Sequence, residues 1–270
     1  MSMLRSSNPA LRDETLRQGD WWSDTAAVER ASISGIINKT AIFAMVMTAT
    51  GTAGYAVVQA NPGILMPVMI VNMIVVFASF FMIRGSAKAA RNIGFIYSAF
   101  QGFLLGGIAV MLEGMLAGRG VQVAGGIVIQ AFVVTAGCLM AMLILYRGGI
   151  LRGGPMFQRV VMVATLGVMV AALLSFVLSL FGVSTMLFNL GNAFDGGSGA
   201  MIGLGVTAAI LVLASLWLII DFRQAEELVA QGAPKEAEWY AAFGLIVTIA
   251  WIYLEALKLV YYIAAMNSRE

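Results

Sequence analysis

Residues 239–263, WYAAFGLIVTIAWIYLEALKLVYYI, decide the fold. The stretch holds one carboxylate and one ammonium, Glu255 and Lys258, in sequence that is otherwise apolar or aromatic apart from Thr248. About 20 apolar residues let a helix cross a hydrocarbon layer of ~30 Å, and only a helix or a closed barrel satisfies its backbone there. The stretch therefore reads as a spanning helix, opened by Trp239 and Tyr240, which suit the membrane interface. Glu255 is the exception that needs a reason. A carboxylate at the centre of a span costs roughly 2.5 to 3.5 kcal/mol on insertion scales and normally faces a bundle interior or a water-filled cavity. Upstream, the apolar run LVLASLWLII (211–220) leads straight into a second acid, Asp221. Asp221 and Glu255 are thus the leading functional candidates, and packed together the two could share a proton.

The rest of the composition agrees with that reading. The 270 residues are 60% hydrophobic and 11% charged, with a mean hydropathy of +0.90, far from the roughly 25% charge of soluble domains. An all-α, polytopic membrane protein with seven spans is expected, at roughly 40–59, 63–83, 93–112, 124–146, 158–182, 200–221 and 239–263. Residues 1–34 form a polar tail of mixed charge and residues 35–270 the membrane domain. The tail lacks the apolar core of a secretory signal, and Trp21 and Trp22 either anchor it at the headgroups or sit in a solvated segment. The first two spans are separated by Ala60, Asn61, Pro62 and Gly63, which makes a tight hairpin.

Charge placement sets the topology. Thirteen Lys and Arg fall in the tail and the second, fourth and sixth connections, against three on the other side, Arg119, Lys258 and Arg269. That places the N-terminus in the cytoplasm and, after seven spans, the C-terminus outside, in an inner or plasma membrane. It also puts Asp221 at the cytoplasmic end of the sixth span. The sixth helix is expected to run past the membrane and stop at Gly232, before Pro234. The Gly-rich fifth connection, around Asp195, reads as an outer loop dipping back towards the bilayer.

Several classes of function are excluded or disfavoured. The absence of histidine removes the usual transition-metal ligand and any Ser-His or Cys-His pair. No enzyme, resident metal or cofactor is expected, and a net charge of +2 does not suggest nucleic acid. Cys138 and the methionines read as packing. Gly102 and Gly106, Gly167, and Gly203 and Gly205 mark helix contact faces.

The remaining polar residues leave alternatives open. Glu255 either meets Asp221 or pairs with Lys258, one turn on. Asp221 either faces the seventh helix or caps its own span beside Arg223. Arg84 is the candidate counter-ion for Asp221. Gln101 either faces a polar cavity or hydrogen-bonds a neighbouring helix, and Glu113 reads as a surface charge.

Four stretches carry a resemblance: NPALRD (8–13), IYSAFQGFLLGGI (96–108), LYRGGILRGGPMFQRVV (145–161) and APKEAEWYAAFGLIVTIAWIYLEALKL (233–259). With seven spans, they resemble the Bax inhibitor-1/YccA family, and most closely its bacterial, actinobacterial-type branch. The resemblance implies a pH-sensitive leak for calcium or another cation, in which two acids of the last two helices form a latch over the pore, at Asp221 and Glu255. It equally allows a non-conducting regulator that binds other membrane proteins, such as a membrane protease. The chain departs from the pattern in three ways, with Glu255 where an aspartate is expected, a longer linker between the two acids, and Gln101 where a glutamate is expected.

Overall fold

A computed structural model describes residues 29–83, 87–183, 190–194 and 198–267. Among them are seven helices long and apolar enough to cross a membrane: α1 (Ile33–Ala60), α2 (Leu65–Met82), α3 (Ala87–Ala117), α4 (Gly126–Arg147), α5 (Pro155–Leu180), α6 (Ser198–Ala230) and α7 (Ala237–Asn267). The all-α, seven-helix expectation holds. Most of the expected spans are too short, because polar and charged turns beyond the apolar runs remain helical. Arg12, Trp21, Trp22 and the rest of the tail to residue 28, together with Arg84 and Asp195, lie outside the described residues.

Local chemistry sets the boundaries. Ser32 caps α1, its hydroxyl accepting from the Gly35 N–H at 3.0 Å, which satisfies one of the free donors of the first turn. Pro62 opens a short 3-10 turn, Pro62–Ile64, that joins α1 to α2. Pro155 begins α5, where its missing N–H costs nothing. Beyond the end of α6, Gly232 takes φ +68°, a conformation that favours glycine.

α7 is the axis of the bundle, packed by α1, α3, α4 and α6. α1 and α3 make the closest approach, with Gly102 against the Met47 carbonyl and Gly106 against the Gly51 carbonyl. In lipid, association depends on such backbone proximity. Gly203 likewise meets Tyr262, whereas Gly167 and Gly205 face open space, so those two are not contact positions. α2 leans on α3 and α5 on α6. Most of the large apolar side chains of α5 are exposed, as befits a helix solvated by hydrocarbon. The short helical turn Leu190–Phe194 packs back onto the bundle: the Tyr261 hydroxyl donates to the Leu190 carbonyl at 3.2 Å, and Phe194 meets Tyr261 edge-on. Cys138 packs among the apolar residues of α4, α6 and α7.

Candidate functional site

The seam between α6 and α7 holds both sequence-identified acids. α6 runs on past Asp221 to Ala230, as expected, and the Asp221 side chain turns towards α7. Its carboxylate faces Gly244 and the Thr248 hydroxyl. Oδ2 is buried and has no hydrogen-bond partner among the described residues. Arg223 points elsewhere, donating to the Gly153 carbonyl at 2.7 Å and pairing with Glu227 at 2.6 Å. The reading of Asp221 as a cap beside Arg223 is therefore corrected.

Glu255 is 3% exposed and accepts from Lys258 Nζ at 2.6 Å, the within-helix pair that i,i+3 spacing allows. Trp251 stands beside it. Its second oxygen, Oε2, is buried and unpartnered among the described residues. Thr248, Glu255 and Tyr262 recur every seven residues and so share one stripe of α7. Thr248 meets Asp221 and Tyr262 meets Gly203, which turns the whole stripe towards α6. The two acids therefore share a seam but do not touch. Glu255 lies seven residues beyond Thr248, roughly 10 Å along the axis, and no hydrogen bond joins it to Asp221. A direct, proton-sharing pair is corrected to two separate sites, one on either side of Ile252, the midpoint of α7.

Gln101 is held between α2 and α3. It is 9% exposed and its Oε1 accepts from Asn72 Nδ2 at 3.0 Å, a bond between α2 and α3. Of its two readings, the interhelical hydrogen bond is the one realised.

One acid that sequence reasoning passed over, and one that it read as superficial, are more firmly held. Glu238, 1% exposed, sits in the first turn of α7, where a negative charge complements the helix dipole. It forms an ion pair with Lys39 and accepts from the Ser32 N–H at 2.8 Å. The Lys39 ammonium also lies 5.2 Å from the Trp239 ring centroid, and Arg91 lies 5.5 Å from it. Just outside the spans, the Ala31 N–H donates to Ala233 and the Lys235 N–H to Glu29, strapping the entry of α1 to the α6–α7 connection. There the Glu29 carboxylate raises the Lys235 pKa by hydrogen bond and charge. An acid at a helix start and a lysine inside a span were signals available in the sequence.

At the opposite end, Glu113 accepts from the Tyr55 hydroxyl at 2.5 Å and from the Ile127 N–H, at the start of α4, at 3.1 Å. It is a bridge between α1, α3 and α4 rather than a surface charge. It closes one end of a cleft of about 720 Å³ walled by α1, α3, α4 and α7. Among the described residues no group of three acids or cysteines gathers as a metal site.

The sequence profile of the family described as Bax inhibitor 1 like matches residues 8–265. The chain belongs to that family. No curated protein matches it significantly in sequence. Family membership and seven apolar helices together make the chain a multi-pass membrane protein.

Proposed function

We propose that this Bax inhibitor 1 like protein is a proton-regulated cation leak of a cell membrane, with calcium the leading ion. In this reading the charge on Asp221 and Glu255 sets whether the α6/α7 seam is dry or hydrated. One observation carries it: both acids lie on the same seam near the middle of α7, each with a buried oxygen that no described group satisfies. An ionised carboxylate so placed draws water or a cation to itself, while a protonated one tolerates an apolar contact. The control is therefore two sites in series, not one latch. Thirteen basic residues on one side against three on the other support a cytoplasmic N-terminus and an external C-terminus. A cation entering from outside would then meet the level of Glu255 before that of Asp221. Calcium prefers several oxygen ligands, and single acids at each level suit passage rather than retention.

The test is calcium entry into proteoliposomes as a function of pH. Flux in the parent protein is expected to rise from acidic to neutral pH, and Asp221→Asn and Glu255→Gln each to flatten that rise. Unchanged pH dependence in both variants overturns the reading. A second reading, a non-conducting regulator that binds a membrane protein such as a protease, is favoured by the strap from residues 29–32 to the α6–α7 connection. That strap would transmit tail binding to the seam. Deleting residues 2–28 separates the two: loss of partner capture with an unchanged leak supports the regulator.

A further inference from the structure

The cleft beside Glu113 belongs to neither seam acid, and its shape matches one leaflet of a bilayer. At its polar end Glu113, Tyr55, Gly125 and Gly126 converge, close to the ends of α1 and α3 and at the start of α4, with Tyr253 lining the α7 wall. Four or five residues from the ends of α1 and α3, this is the level at which spanning helices are expected to meet the membrane interface. From there the cleft runs along α1 to Ala44, eleven residues or roughly 16 Å at 1.5 Å per residue, about half of a ~30 Å hydrocarbon core. Over that depth the walls are mainly apolar or small, with threonines on α1 and α4. The cleft opens sideways between α1 and α4, where its lips, Thr48, Thr52, Ile129 and Phe132, are exposed at the depth of lipid chains.

The polar end is chemically one-sided. Glu113 accepts from Tyr55 and from the Ile127 N–H, both neutral donors, and it has no ion-pair partner among the described residues. Among the described residues no lysine or arginine lines the cleft. A carboxylate offers about four acceptor positions, and two are used here, so it can take further donors.

We infer that this cleft is a binding site for a membrane amphiphile with a protonated amine headgroup, its ammonium at Glu113 and one hydrocarbon chain lying between α1 and α4. The ammonium supplies three donors and the missing positive charge. The chain replaces looser bulk lipid with a fitted apolar wall, as in other largely apolar pockets with a few placed polar groups. The site is independent of the seam and stands or falls without the cation leak.

The experiment uses the full chain in nanodiscs doped with a diazirine-tagged phosphatidylethanolamine or a chain-matched phosphatidylglycerol, with labelled peptides read by mass spectrometry. The amine lipid is expected to label the α1 and α4 lips with a roughly tenfold preference, the scale of one charge-assisted hydrogen bond. Glu113→Gln should bring that preference near unity while chain labelling persists. Because Glu113 also bridges three helices, two further measurements need no intact carboxylate swap: unlabelled dodecylammonium should compete in the parent protein, and Phe132→Trp, which narrows the opening, should reduce labelling by both lipids. Equal labelling of the lips by the two lipids in the parent overturns the headgroup assignment. Labelling spread as heavily over α5 as over the lips overturns the site.

Discussion

Glu238 and Glu255 lie on the same helix and are 1% and 3% exposed, yet they are held in opposite ways. Glu238 has a lysine from another helix and a backbone N–H from the segment before α1, so it joins parts of the chain about two hundred residues apart. Among the described residues Glu255 is paired only within its own helix, through Lys258, and its second oxygen is buried without a partner. Asp221 resembles Glu255, with a buried oxygen that has no partner among the described residues and with Thr248 and Gly244 in front of it. The difference separates acids that fasten the bundle from acids whose protonation can change it. Removing a partner from the first kind exposes an uncompensated charge, whereas neutralising the second kind removes a burden.

The contrast is open to direct tests. The largest effect is expected from Lys39→Met, which leaves Glu238 buried without its cation. Breaking such a pair costs about 3–5 kcal/mol, seen as a large fall in melting temperature in mild detergent, and an unchanged melt would mean that Glu238 is not fastening anything. Gln101→Leu removes the bond to Asn72 between α2 and α3 and should cost about 0.6–1.7 kcal/mol, the range of hydrogen bonds inside membranes, with the leak unaltered. A changed leak would bring Gln101 back into the pathway. Asp221→Asn keeps the shape at the seam and supplies an amide that can donate to Thr248. Its stability should change by no more than about 1 kcal/mol, the typical size for a single substitution, and a loss comparable to that of Lys39→Met would erase the distinction.

The smallest effect belongs to the exposed pair of Lys235 and Glu29. Glu29 raises the Lys235 pKa above the usual 10.5. A raised lysine contributes fully below its unfolded pKa and loses that contribution as pH rises through the folded value. Both groups are solvent-screened, so Lys235→Met should leave the neutral-pH melt unchanged, with any difference from the parent constant from pH 5 to 9. A difference that varies within that window would show another group titrating at the strap.

Much of the fold was legible because the bilayer imposes a length and a polarity on every span. The hairpin at Pro62, the stop near Gly232 and the contact face at Gly102 and Gly106 follow from local chemistry and were read correctly. Helix ends were less legible elsewhere: apolarity marks where lipid begins, whereas α3 and α7 run on beyond their apolar stretches, over Ala87–Ala117 and Ala237–Asn267. The continuation of α6 past Asp221 was legible from Glu226 and Glu227, but not that the carboxylate faces Gly244 and Thr248 of α7. The site was legible in part. Rarity alone singled out Asp221 and Glu255. The same test ranked Glu113 as superficial and passed over Glu238, since both stand near span ends where charge is common. Their partners come from distant segments, Tyr55 and Ile127 in one case, Ser32 and Lys39 in the other.

By itself the sequence determined that this chain spans a membrane seven times through helices, which flank carries the positive charge, and which two acids are out of place. Those properties depend on composition along the chain and on the fixed thickness of a bilayer. Only the tertiary structure decided that the two acids share a seam without meeting, that Lys39 neutralises Glu238, and that four helices leave an acid-capped cleft. The reason is geometric: depth along one helix can be counted in residues, but the register and rotation of one helix against another emerge from packing, as Gly203 against Tyr262 and Asp221 against Thr248 show.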